Sequence, residues 1–270
     1  MTAAPPPAAR TATADDGTTL RWYEQGAGAP VLLLQGQATP AAGWDPVAAD
    51  LAAGLRVLRT EQRGTGGTEP GPGGRPPEGL TTRDLARDVR AVLDAAGVDR
   101  AHVVGHSMGG KVAQWLAVDA PDRVASLVLL ATSAGAGDGV PRDAEAHRLL
   151  LGGDPAARVR LFFDDAWAAA HAAEVRAFFA LQADRPTLRA LYRASTEHDA
   201  LAALPRIAAP TLVVHGAEDR LARPASAERL AAAVPGAELV VVAGAGHGLH
   251  LDSAAALAAV RAFLRRHAGA

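Results

Sequence analysis

The chain contains no cysteine. That excludes disulfides, thiolate metal sites and a cysteine nucleophile, and it is compatible with the cytosol. Lys111 is the sole lysine, net charge is −2, and the arginines are interspersed with acids. Without a basic stripe, nucleic acid is not an expected partner. No uninterrupted apolar run approaches the roughly 18 residues of a membrane helix. Met1 to Arg10 is rich in Ala and Pro and has neither the basic start nor the apolar stretch of a secretory signal. The expectation is a soluble, cytoplasmic chain with no membrane span and a flexible tail over 1–10.

What is present is an ordinary globular balance: 270 residues, 49% hydrophobic and 21% charged. This rules out a disordered chain and fits one large α/β domain, or a core with a modest insertion. Short apolar runs recur. Val31–Leu34 (VLLL), Val124–Leu130 (VASLVLL), Thr211–His215 (TLVVH) and Glu238–Val242 (ELVVV) read as strands, the most apolar of them buried on both faces. Thr18–Gln25, Arg56–Thr60 and His102–Val104 complete the predicted strands. Helical patterns lie between them: Trp44–Ala53, Thr82–Ala96 with Leu85, Val89, Val92 and Leu93 at helical spacing, Lys111–Val118, Ala225–Ala233 and Ser253–Arg266. Gly97 sits where a helix stops. Glu61 to Gly79 is a long loop crowded with Gly and Pro.

Strands alternating with helices predict a mostly parallel central sheet covered on both faces. The alternation breaks from Ser133 to about Leu204, where the sequence looks helical. The simplest organisation is an α/β core over 11–132 and 206–270, with a helical lid over 133–205.

Three separated stretches carry chemistry. Gly105-His106-Ser107-Met108-Gly109 reads G-x-S-x-G and runs from a strand straight into a helix. Such a turn holds its serine in a strained backbone conformation, and flanking glycines are needed because side chains there collide. It presents the Ser107 hydroxyl above the carboxyl edge of the sheet. The Met108 N–H, at a helix N-terminus, points where an oxyanion forms.

Asp219 follows a strand in Gly216-Ala-Glu-Asp and projects into the crevice where sites on parallel sheets form. Glu218 is expected to point to the opposite side. Asp138 and Asp199 are more distant rivals. His247 follows the last strand in Gly244-Ala-Gly-His, a flexible loop that lets an imidazole reach a neighbouring strand. His250 is its nearest rival; His106, beside Ser107 in sequence, points away from it. His102, His147, His171, His198, His215 and His267 lack a comparable setting. The histidines also lack zinc spacing, so no metal or cofactor is expected.

With these residues in place, the chain resembles the α/β-hydrolase fold superfamily from about Thr18 to the C-terminus. The resemblance implies Ser107, His247 and Asp219 as nucleophile, base and acid. Relatives carry His-Gly-x after the third strand, and x gives the second oxyanion N–H. Here the stretch is Gln35-Gly36-Gln37, so the backbone of Gln37 would be the donor. Relatives also show Asp-x-Arg-Gly-x-Gly-x-Ser after the fourth strand. This chain has Glu61-Gln62-Arg63-Gly64-Thr65-Gly66-Gly67-Thr68, altered at the acid and the last hydroxyl. That stretch reads as architectural, with Arg63 tying loops together.

The implied activity is hydrolysis of carboxylic esters or lactones through an acyl-enzyme, on a small apolar ester-like substrate. Chemistry through an imidazole base falls off on acidification, below about pH 6.5. Alternatives on the same residues are C–C bond hydrolysis, thioester hydrolysis or perhydrolysis. C–C hydrolases often have Asn before the serine, where this chain has His106. Perhydrolases often have Pro directly after the oxyanion residue, where it has Ala38. A receptor that keeps the hydrolase fold is a further alternative. Aromatics are only 4% of the chain, yet Phe162, Phe163, Trp167, Phe178, Phe179 and Tyr192 crowd the helical segment. Phe162, Phe163, Trp167 and Phe178, with Trp44, Leu221 and Leu249, are the candidate pocket residues.

Overall fold

The structure, a computed structural model, describes residues 7–141, 143–152, 154–180 and 183–269. The chain runs through β1 (Arg10–Thr13), β2 (Thr19–Gln25), β3 (Ala29–Leu34), α1 (Asp45–Leu51), β4 (Leu55–Thr60), α2 (Thr82–Ala95), β5 (Ala101–His106), α3 (Met108–Asp119) and β6 (Val124–Leu130). Five helices follow: α4 (Ala144–Gly152), α5 (Pro155–Arg160), α6 (Asp165–Ala170), α7 (Ala172–Phe178) and α8 (Arg185–Thr196). The core resumes with β7 (Thr211–Gly216), α9 (Pro224–Ala233), β8 (Glu238–Val242), α10 (Leu249–Asp252) and α11 (Ala254–His267).

One eight-stranded sheet has the order β1-β2-β4-β3-β5-β6-β7-β8. β2 pairs antiparallel with β1 and β4; every other pairing is parallel. A parallel sheet needs cover on both faces, and the helices divide accordingly. Leu85, Val89 and Val92 of α2, Val112 and Leu116 of α3 and Leu230 of α9 pack on one face, with Leu32, Val103 and Leu127. Val47 and Leu51 of α1 and Val260, Phe263 and Leu264 of α11 pack on the other, with Val31, Leu33, Val104 and Val128. Alternate residues of each strand go to alternate faces, so the sequence VLLL divides its side chains between the two cores.

Local signals fix the ends of α2. Thr81 and Asp84 form a reciprocal capping box, and Gly97, at φ +62°, takes the left-handed position after the helix. The predicted tail over 1–10 falls outside the described residues for 1–6, while Arg10 already belongs to β1. Four residues with no large apolar side chain gave β1 no signal; its pairing with β2, from Arg10↔Trp22 to Thr13↔Thr19, makes it a strand. β5 extends past Val104 to His106, and α3 begins at Met108 rather than Lys111. No helix among the described residues is long and apolar enough to cross a membrane.

Candidate active site

Parallel strands deliver their carboxyl ends to one edge of the sheet. β3, β5, β7 and β8 lead there into the segments that carry Gln37, Ser107, Asp219 and His247. Between β5 and α3 the chain turns within one residue, and Ser107 takes φ 53° and ψ −118°. Ala38 (φ 55°) and Ala131 (φ 47°) are also left-handed, one past the end of β3 and the other directly after β6. Side chains rarely adopt this region, at about 1–3 kcal/mol each. All three lie at the carboxyl edge, so the strain is concentrated around Ser107. The turn closes because Gly105 and Gly109 lack side chains. A Cβ on Gly105 would stand 2.5 Å from the Gly109 carbonyl oxygen, and one on Gly109 would collide with the Leu34 carbonyl.

His247 Nδ1 is 2.8 Å from Asp219 Oδ2, and its Nε2 is 2.9 Å from Ser107 Oγ. A carboxylate only accepts, so Nδ1 carries the proton and Nε2 is left to accept from the hydroxyl. Asp219 is fully buried, and its Oδ1 accepts the N–H groups of Leu221 (2.8 Å) and Ala222 (3.0 Å). Burial alone would push this carboxyl up. The neighbouring imidazole of His247 and hydrogen bonds from His215 and His247 outweigh it and hold Asp219 well below the usual carboxylate range. Ionised, oriented and aimed at an imidazole, it favours the tautomer that can draw the proton from Ser107.

A family model described as the alpha/beta hydrolase fold matches residues 29–254. The chain belongs to the α/β-hydrolase family. It is similar to a protein named as the carbamate hydrolase RutD of Variovorax paradoxus (strain S110), 36% identical over 242 residues, 84% of this chain and 88% of that one. It is similar also to a 2-hydroxymuconate semialdehyde hydrolase of Pseudomonas sp. (strain CF600), 32% identical over 264 residues, 90% of this chain and 89% of the other. Among solved structures, Est816, described as an N-acyl homoserine lactone degrading enzyme, matches with a TM-score of 0.77 at 28% identity, covering 95% of this chain and 99% of that one. Two of these names specify a hydrolase and the third the degradation of a lactone; this α/β-hydrolase is a hydrolytic enzyme.

The rival residues of this hydrolase do not join that relay. Glu218 is exposed. Asp138 is buried and accepts the Val140 N–H at 2.8 Å. Asp199 accepts the Leu201 N–H. His106 turns inward, where its Nε2–H donates to the His247 carbonyl at 2.8 Å. Burial pushes His106 down to about 3, so it stays neutral. His250 is fully buried between Trp44 and His106, at centroid distances of 4.6 and 4.1 Å.

Two supporting residues, Gln62 and His215, escape a motif reading. Gln62 braces the loop that carries Gln37: its Nε2 donates to the carbonyls of Gln35 (3.1 Å) and Gly36 (2.9 Å), and its Oε1 accepts from Ala38 N (2.9 Å). Gln35 itself finds no protein partner for either side-chain amide atom, and it borders a cavity of about 20 Å³. His215, set aside on sequence, ends β7 with its Nε2 2.5 Å from the Ala222 carbonyl and 3.4 Å from Asp219 Oδ2. Its place at a strand end, four residues before Asp219, was the available signal. Arg63 ties loops as expected: it forks onto Asp88 (2.6 and 2.7 Å) and reaches Asp16 and Thr18. The altered motif positions still bond, Glu61 with Ala41 N and Thr68 with Arg21 N.

A cavity of about 700 Å³ opens over Ser107, a size suited to a small organic ligand. Phe162, Phe178 and Leu221 line it, as do Phe179 and Tyr192. Trp44, Phe163, Trp167 and Leu249 do not belong to its wall. Trp44 and Leu249 are buried in the core below, Phe163 packs on Trp167 and Phe178, and Trp167 stacks on His171 at 4.4 Å. Phe162 crosses the site edge-on to His247, 5.2 Å away.

Proposed function

We propose that this hydrolase cleaves carboxylic esters or lactones through an acyl-enzyme on Ser107. The observation that carries the reading is the unbroken relay Ser107–His247–Asp219, with both contacts under 3.0 Å, beside a cavity of about 700 Å³. His247 takes the hydroxyl proton as Ser107 Oγ attacks the carbonyl, and returns it to the leaving oxygen. Water then repeats the sequence on the acyl-enzyme, with His247 again as base. The tetrahedral oxyanion would be held by the Met108 and Gln37 N–H groups. Met108 opens α3, so its N–H has no acceptor within the helix. A donor of this kind contributes about 3–4 kcal/mol. The helices between β6 and β7 act as a lid, with Phe162 and Phe178 excluding water from the carbonyl.

The lactone side of the reading is supported by the likeness to a lactone-degrading enzyme, the ester side by a base that can return the serine proton to a leaving alkoxide. The test is a screen of aryl esters and lactones against wild type and Ser107→Ala. Turnover in the wild type with a loss on the order of 10⁶ in the variant is expected. A Ser107→Ala protein keeping more than a few per cent of the rate would defeat the assignment.

A further inference from the structure

The wall of the cavity over Ser107 carries more basic than acidic side chains. Among the described lining residues the basic side chains, histidines aside, are Lys111, Arg158, Arg189 and Arg223, and the acid is Asp138 alone. Two of the four are engaged by carbonyls. Lys111 Nζ donates to the Ser195 carbonyl at 2.8 Å, and Arg223 reaches the Pro141 carbonyl at 3.5 Å. Arg158 differs. Its Nε is shut off from water and meets no acceptor among the described residues, which native proteins seldom tolerate for a charged donor.

Local acids do not answer this charge. Arg160, two residues on, is paired with Asp165 at 3.1 Å. Arg220 takes Asp143 and Glu145 at 2.8 and 2.7 Å. Asp138 spends Oδ1 on the Val140 N–H. What holds Arg158 is the face of Phe179, 5.1 Å from its guanidinium carbon. A cation–π contact uses none of the N–H donors, so the outer Nη1–Nη2 edge of the guanidinium, which pairs with no acid among the described residues, remains available to a carboxylate. Its position is defined by ring contacts: Phe179 packs on Phe162 at 5.1 Å, and Phe162 on His247 at 5.2 Å. The cation therefore sits two aromatic rings from the base, along the wall of the same cavity.

We infer that the physiological substrate carries a carboxylate at the end remote from the scissile bond, and that Arg158, on the wall of the cavity, is its subsite. This rests on the hydrolytic reading above and narrows it from apolar esters to esters or lactones of acid-bearing chains. The phenylalanines enclose the apolar middle of such a molecule, and the guanidinium receives its far end.

The test uses paired esters: 4-nitrophenyl hydrogen suberate and its methyl-capped, uncharged counterpart. A series from adipate to sebacate varies the span. Wild type is expected to favour the free acid at least about tenfold in kcat/KM at one chain length. In Arg158→Gln that ratio falls towards one, mainly through KM. Free suberate is expected to inhibit wild-type hydrolysis of the capped ester competitively where octanediol does not, an outcome that holds even if the variant fails to fold. Equal use of both esters by wild type, with no inhibition by suberate, overturns the carboxylate subsite and leaves the hydrolase reading intact. No turnover of either ester, with no labelling of Ser107 by a fluorophosphonate, defeats the underlying reading and the subsite with it.

Discussion

In Asp219 the two carboxylate oxygens are divided between architecture and chemistry. Oδ1 accepts two backbone N–H groups of its own turn, and Oδ2 faces the imidazole. Asp219→Asn separates these roles. An asparagine keeps an oxygen for the turn and turns an NH₂ towards His247, which must then accept at Nδ1 and carry its proton at Nε2. That tautomer cannot take a proton from Ser107. The variant is expected to fold as the wild type does in urea and to lose about 10⁴ in kcat; a loss within tenfold would mean that the carboxylate does not set the tautomer. At this scale the sequence was informative. Ser107, His247 and Asp219 each follow a strand through glycine-rich turns, and such a setting leaves few places for a side chain to go. The support was not legible, because Gln62 and His215 act through contacts that no local pattern encodes. Nor did aromatic content separate wall from core: Phe162 and Phe163 are neighbours, yet only the first faces the cavity.

At the scale of elements, the loop after β3 and the turn into α3 must hold their N–H groups in register. Gln62 links three backbone groups of the first of these, from a loop 24 to 27 residues away in the chain. Gln62→Leu keeps the size and removes all three bonds. A small displacement of an oxyanion donor lowers the rate without loosening the ground state. The expected result is a fall in kcat on the order of ten- to a hundred-fold with KM changed little, read from steady-state kinetics on an aryl ester. Unchanged kcat would show that the loop holds its shape without the side chain. The strands were readable for a related reason. β3, β6 and β7 are continuous apolar runs because both faces are covered, whereas β1 depends wholly on its neighbour. The start of α3 was obscured by Gly109 and Gly110. They resemble a loop in sequence but form a helical turn that a side chain would block, on Gly109 against the Leu34 carbonyl and on Gly110 against Thr132.

Across the whole molecule, several histidines are carried into the core uncharged. Burial holds His106, His198 and His250 well below the ordinary histidine range. The folded state refuses a proton that the unfolded chain accepts below about pH 6.5, so their contribution is complete above that pH and is lost as pH falls beneath it. Each such residue costs about 1.4 kcal/mol per pH unit in that window. His250→Phe retains a ring against Trp44 and removes one of these sites. Urea unfolding at pH 7.5 and 5.5 is expected to show the wild type losing about 1.4 kcal/mol more than the variant on acidification; equal losses would place the acid sensitivity elsewhere.

The same whole-molecule packing brings the carboxyl ends of β5, β7 and β8 to one edge of the sheet, with β6 between β5 and β7, and so joins residues 107, 219 and 247 into one relay. Its most direct test is intact-mass and peptide mapping after exposure to a fluorophosphonate. A single adduct on Ser107 is expected, formed quickly in the wild type and strongly slowed in His247→Ala. An unmodified Ser107 in folded protein, or modification at an equal rate without the imidazole, would contradict the account.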